Sequence, residues 1–152
     1  MGLRFAFAHF INAQGGDQVT RAYRERYQPS AREASAQAIV CVFLICAESN
    51  AEAERLAQSI DLRRLHMALN VDSPVPTPAE AAKHVYTAEE REYVQGQRAR
   101  AIIGGPASCK QQIEDLAGRY GADEVMLLTI TGEYATRTAS YELLAKEFSL
   151  GA

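Results

Sequence analysis

Along the chain, three dense apolar blocks are separated by stretches in which apolar residues recur every three or four positions, an alternation of strand-like and helix-like patterning. The first block, residues 3–11 (LRFAFAHFI), is aromatic-rich and stopped by Asn12-Ala13-Gln14-Gly15-Gly16. It predicts a buried strand running into a loop. Asp17 is then placed to cap a short helix with Val19, Ala22, Tyr23 and Tyr27 on one face. Pro29 ends it, because proline disfavours helix in the residue before it. The second block, residues 37–47, is apolar on both alternating faces from Ala38 to Ala47, the pattern of a central parallel strand covered on both sides. Ser49-Asn50-Ala51-Glu52 has the spacing of a capping box, and the helix it opens carries Ala53, Leu56, Ala57 and Ile60 in one stripe, continuing less regularly through Leu65 and Leu69.

Pro74, Pro76 and Pro78 force an extended excursion. Two further capping boxes, Thr77 to Glu80 and Thr87 to Glu90, open short helices in what reads as a loosely organised helical insertion. Gly104-Gly105-Pro106 resets the chain before a helix presenting Cys109, Ile113, Leu116, Ala117 and Tyr120 and closed by Gly121. The third block, residues 124–131 (EVMLLTIT), is a strand, and a last helix from about Tyr134 to Phe148 puts Tyr134, Thr138, Tyr141, Leu144, Ala145 and Phe148 on one face. The order βα, βα with an insertion, βα predicts an α/β fold. It has about three parallel strands, flanking helices and right-handed crossovers in a single domain over residues 1–152.

Composition narrows the function classes. With 16 Lys+Arg against 19 Asp+Glu and no long run of one sign, the footprint of a nucleic-acid binder is missing. The longest apolar run, Ala38 to Ala47, has about half the length that a membrane-spanning helix needs. The N-terminus lacks the basic start and cleavage pattern of a signal peptide. These features predict a cytoplasmic protein with no nucleic-acid or membrane partner. Cys41, Cys46 and Cys109 form no CxxC pair and no cluster with metal-ligand spacing, so they read as reduced, buried thiols with no metal site.

Five segments carry more information than the pattern alone: Gly2-Leu-Arg-Phe-Ala-Phe-Ala-His-Phe10, Tyr23-Arg-Glu-Arg-Tyr-Gln-Pro-Ser30, Ile102-Ile-Gly-Gly-Pro106, Gly121-Ala-Asp-Glu-Val-Met126 and Ser140-Tyr-Glu-Leu-Leu-Ala145. In order and at similar spacing, they resemble the GLPFAFAHF, YRERFQPS, IVGTPE, GADELMV and SYELLA segments of the luciferase-like flavin monooxygenases. The resemblance implies the C-terminal part of a (β/α)₈ TIM barrel, roughly its last three strand–helix units. It also implies reduced FMN as cofactor, or a deazaflavin in some relatives, with molecular oxygen as co-substrate. In such a barrel the reactive residues stand at the carboxyl ends of the strands. Matching AFAHF places His9 there as the catalytic candidate, with His9 and Asn12 as the cofactor-binding candidates. Glu48, Thr131 and Glu133 fall at the other strand ends. An imidazole suits the task because it hydrogen-bonds a flavin carbonyl or shuttles a proton near neutral pH; the competing reading is a packed core histidine.

Elsewhere the bland readings prevail. His66 and His84 read as surface residues of the insertion. Gly104-Gly105-Pro106 invites a phosphate at a helix start, but it lacks the P-loop lysine and does not directly follow a predicted strand, so a tight structural turn fits better. Where the family has Gly-Thr-Pro-Glu this chain has Gly104-Gly105-Pro106-Ala107, which removes a hydroxyl cap and an acidic first-turn residue at a cost of roughly 1 kcal/mol.

A chain that opens at the sixth strand lacks the five that, in the family, carry most flavin-phosphate contacts. Catalysis is then expected only with the missing N-terminal half supplied as a fragment, a second polypeptide or a partner subunit. The alternative is a non-enzymatic oligomeric remnant or scaffold. Unprotected strand edges predict a homo-oligomer, with a dimer favoured.

Overall fold

The structure is a computed structural model that describes residues 2–150. It contains β1 (Phe5–Ala8), α1 (Gly16–Glu25), β2 (Ala38–Cys46), α2 (Asn50–Ala68), α3 (Pro78–Ala81) and α4 (Ala88–Arg98). These are followed by β3 (Ala101–Gly104), α5 (Pro106–Tyr120), β4 (Glu124–Leu128) and α6 (Tyr134–Glu147). All strand pairings are parallel and all involve β2. β1 pairs with its first half, Phe5 opposite Ala38 through Ala8 opposite Cys41, and β3 with its second half, Ala101 opposite Phe43 through Gly104 opposite Cys46. β4 pairs with Ile39 to Phe43, overlapping both of those stretches. It must therefore occupy one edge of β2 while β1 and β3 lie end to end along the other.

That order decides which face each helix covers. Right-handed crossovers put helices on one face when the chain moves one way across the sheet and on the opposite face when it moves back. The steps β1 to β2 and β3 to β4 run in one direction, and the step β2 to β3 runs in the other. The packing agrees. Val40, Val42, Leu44 and Cys46 form one core with Cys109, Ile113, Leu116 and Tyr120 of α5 and Leu144 of α6. Phe43, Ile45 and Ala47 form a second with Ala53, Leu56, Ala57 and Ile60 of α2. The doubly apolar run of β2 is what two covered faces require.

The caps are formed largely as the sequence predicts. Ser49 accepts from the Glu52 N–H, and both Thr77/Glu80 and Thr87/Glu90 make reciprocal capping boxes. Several expectations need correction. Among the described residues a fourth strand joins the three expected: β3 occupies only four residues inside the stretch read as insertion. α1 is capped by Gly15 in the left-handed conformation (φ 72°), with Asp17 inside its first turn. Its buried positions are Gly16 and Thr20, while Val19 stays 48% exposed. Tyr134 starts α6 but is 81% exposed. The insertion is not loose, because Leu62, Leu65 and Ala81 form a small core of their own with Tyr86 and Tyr93. His66 and His84 are half-buried, His66 Nδ1 lying 2.9 Å from Ser73 Oγ and His84 Nε2 3.3 Å from Glu90.

Gly16 is the tightest point of this packing. A Cβ there would stand 2.3 Å from the Phe7 ring and 2.6 Å from the Tyr120 ring; Tyr120 is buried and Phe7 packs against the same core, so neither ring is free to swing away. Gly16→Ala is expected to cost about 1–3 kcal/mol through overpacking, read as a lower Tm in thermal denaturation. An unchanged Tm would mean that α1 shifts freely on the sheet.

Candidate functional site

The carboxyl ends of the four strands open at one end of the sheet, as parallel pairing dictates. His9 follows the last residue of β1 and is 4% exposed. Its Nδ1 lies 2.9 Å from Tyr120 Oη at the end of α5, with the two rings edge to face at 5.6 Å. Phe7 also packs against Tyr120, its ring 5.6 Å away, so the close approach permitted by Gly16 fixes the tyrosine and the tyrosine fixes the histidine. His9 also lines a cleft of about 270 Å³ with Val42, Ile102, Leu116 and Arg119. Nε2, which has no partner among the described hydrogen bonds, is the nitrogen left for a ligand. Burial, reinforced by the Arg119 and Arg100 charges, holds the imidazole below its ordinary pKa. Tyr120, read from sequence as packing alone, is the residue of this site that sequence reasoning missed. It lies 111 positions from His9, and no local motif joins them.

Asn12 is exposed, its Oδ1 accepting the Gln14 N–H at 3.0 Å. It lines a larger cavity of about 680 Å³ with Tyr93, Gln97 and Arg100. His9 and Asn12 thus share a loop but open onto neighbouring cavities that have Ala99 in common. The Arg100 guanidinium ties this loop to the insertion by donating to the Ile11 carbonyl. Glu48 and Glu133 are exposed, and Thr131 Oγ1 donates to the Glu133 carbonyl at 2.8 Å. The fold brings none of these three to His9 by any described contact.

Gly104-Gly105-Pro106 does follow a strand directly, contrary to the sequence reading, since β3 ends at Gly104 and α5 begins at Pro106. The phosphate reading gains nothing from this. The Gly105 N–H already donates to Asn50 Oδ1 at 2.7 Å, and a Cβ on Gly104 would meet that same oxygen at 3.0 Å. The glycines are needed for close packing of β3 against the start of α2. Cys46 and Cys109 are buried and Cys41 is partly so, all three as free thiols. Among the described residues no helix is long and apolar enough to cross a membrane.

The lowered pKa of His9 has a defined sign. Between the histidine's ordinary value near 6.5 and its lower folded value, the unfolded chain binds a proton that the native state does not, so stability falls as pH drops through that window. Urea unfolding from pH 7.5 down to 5.5 is expected to show this decline, and His9→Gln to flatten it. A wild-type profile with no slope there would show His9 titrating alike in both states.

No family model matches the chain. It is 40% identical over 147 residues to the uncharacterized protein YceB of Bacillus subtilis, covering 97% of this chain and 44% of that protein. It is 28% identical to a luciferase-like monooxygenase of Escherichia coli, covering 99% of this chain and 46% of the relative. Among solved structures it superposes on apo-MsnO8 with a TM-score of 0.84 at 25% identity, over 99% of this chain and 46% of that one. It also shares its fold, at a TM-score of 0.52 and 16% identity over 97% of this chain and 42% of the other, with the oxygenating constituent of 3,6-diketocamphane monooxygenase from Pseudomonas putida, a type II Baeyer-Villiger monooxygenase in complex with FMN. The chain spans less than half the length of the relatives it matches. Its five collinear motifs, its parallel sheet with carboxyl-end residues and these likenesses agree: the chain resembles a part of the luciferase-like monooxygenases, and its fold fits a part of their (β/α)₈ barrel.

Proposed function

We propose that this chain supplies one wall of a flavin-dependent monooxygenase site, completed by the rest of the barrel in a longer polypeptide or by a partner subunit. The observation that carries this reading is the buried His9–Tyr120 pair at the carboxyl end of β1, inside the motif with which the chain's family resemblance begins. The residues present fit FMN in part. Asn12 offers an amide, Tyr93 an aromatic ring and Arg100 a guanidinium around one cavity beside that strand end, while the glycine turn before α5 has its first N–H already engaged. When bound, reduced FMN supplies the electrons and the oxygen chemistry.

The chain's own contribution is to hold groups in place and to manage a proton. Tyr120 Oη donates to the Ala13 carbonyl at a long 3.5 Å, which leaves its oxygen as acceptor for the proton on His9 Nδ1. Nε2 is then the bare nitrogen, able to take a proton from a bound group, and burial among arginine charges keeps it bare near neutral pH. The His9 cleft sets apolar Val42, Ile102 and Leu116 beside polar Gln112, Asp115 and Arg119, so it can hold a group with both characters next to that nitrogen.

Binding and assembly separate this reading from its rival. The isolated chain is expected to quench FMN fluorescence weakly or not at all, whereas a protein that includes the remaining barrel binds it. In that protein, His9→Gln is expected to lower turnover about 100-fold while leaving FMN affinity nearly unchanged. Low-micromolar binding by the isolated chain would refute the shared wall, and a full-length protein that ignores FMN would refute the flavin. A second reading, a non-enzymatic self-associating scaffold, is favoured by one feature. Among the described residues β1 and β4 each pair only with β2, and Met126 is 57% exposed on β4. For the isolated chain we expect a dimer by light scattering, since open edges of this kind recruit another chain; a one-chain mass at micromolar concentration would remove that second reading.

A further inference from the structure

The helical insertion holds a cavity that the flavin reading does not use. It measures about 400 Å³ and lies between α2, α3 and α4, with Gln58, Asp61, Tyr86, Arg91, Gln95 and Arg98 on its walls. A space of this size is far larger than one bridging water requires and falls in the range of small-molecule sites. Asp61 is 3% exposed. Both hydrogen bonds described for its carboxylate go to one oxygen: Arg98 Nε and Nη2 donate to Oδ2 at 2.9 and 2.7 Å, while Oδ1 is buried with no partner. Tyr86 Oη is likewise buried and unpartnered. An orphaned carboxylate oxygen and an orphaned phenol on two residues that line one cavity are costly, because each gave up water on folding and gained nothing in return.

The charges around the cavity select the ligand. Asp61 disfavours an anion, and Arg91 and Arg98 disfavour a cation. What remains is a neutral group that donates to Oδ1 and accepts from the tyrosine O–H, the two complementary faces of a primary carboxamide. Ala81, Ala82 and Val94 supply apolar contact for the body that carries it. We propose that this cavity binds a small neutral molecule bearing a carboxamide, held by Asp61 Oδ1 and Tyr86 Oη. Seating it takes a shift of the Tyr86 ring, which stands on the loop between α3 and α4 rather than within an element. The proposal does not rest on the flavin reading, since every residue it uses lies in the insertion between β2 and β3.

Three probes of nearly equal shape test it on the full 152-residue chain: benzamide, benzoate and benzylamine, titrated while backbone amide resonances are followed by NMR. Benzamide is expected to give saturable shifts at Tyr86 and Gln95, with the anion and the cation each at least about tenfold weaker. Tyr86→Phe removes one hydroxyl that has no partner in the free protein. It should weaken benzamide about fivefold and leave the Tm of the free protein unchanged or raised. Asp61→Asn, which keeps the shape, should weaken benzamide as well. Equal binding of the three probes, no saturable shift, or binding that both variants leave intact overturns the proposal. So does a fall in the Tm of the free Tyr86→Phe protein, which would mean that ordered water already satisfies the hydroxyl.

Discussion

Everything in this fold is referred to β2. It is the strand to which each of the other three is hydrogen-bonded, and its side chains alternate between two cores, so Val40, Val42, Leu44 and Cys46 meet one layer of helices and Phe43 and Ile45 the other. Phe43 and Leu44 are 1% and 0% exposed. Seven of its nine residues are buried, Ile39 and Cys41 being partly exposed, and burial of a strand on both faces is what a parallel sheet covered on both sides provides. The backward step from β2 to β3 is what brings α2 to the second face. A single strand therefore fixes the sheet order, the side on which each helix lies and the end at which functional groups collect. The anchoring reaches the polar atoms too: Ser140 of α6, itself fully buried, accepts the Cys46 N–H at 2.9 Å and satisfies the strand where its ladder ends.

Much of this was legible in the sequence, and the omissions have physical reasons. β2 and the capped helices were read closely because a nine-residue apolar run and an S/T-x-x-E box are strong local signals. β3 was missed because four residues, Ala-Ile-Ile-Gly, carry too little pattern to stand out beside a glycine turn; it is a strand because Phe43 to Cys46 offers it a free ladder once β1 has ended. The cap of α1 was misassigned for a related reason. Asp17 has the right side chain, but the chain must turn with a positive φ before the helix, and Gly15 is the residue that accepts it. The face of that helix followed, since Gly16 and Thr20 are small enough to lie on the aromatic layer that Phe7 and Tyr120 form.

The candidate site divides in the same way. That His9 stands at a strand end was readable from its position after an apolar run, and Asn12 from its place in the following loop. What surrounds His9 was not readable, because Tyr120, Arg119 and Arg100 reach it from two segments distant in the chain. The tuning of the imidazole is thus a property of the assembled fold: α5 carries the tyrosine and one arginine, and the segment leading into β3 carries the other. A strand too short to be seen in the pattern is what delivers Arg100 to the loop that holds both candidates.

The insertion follows a different logic from the sheet. α2 serves two layers, its first half closing the second face of β2 and its second half joining the small core around Leu62, Leu65 and Ala81. Asp61 sits where those duties meet. It holds Arg98 of α4, and Arg98 in turn holds Glu54, about two turns earlier on the same face of α2. A buried ion pair of this kind contributes little net stability once desolvation is counted, but removing one partner strands the other. Its effect is to set the position of α4 relative to α2, and hence the position of Arg100 two residues beyond α4. The polar bridge inside the insertion and the geometry around His9 are therefore linked through a few residues of chain, and the order that the sequence pattern did not reveal in the insertion is a condition for the site at the end of β1.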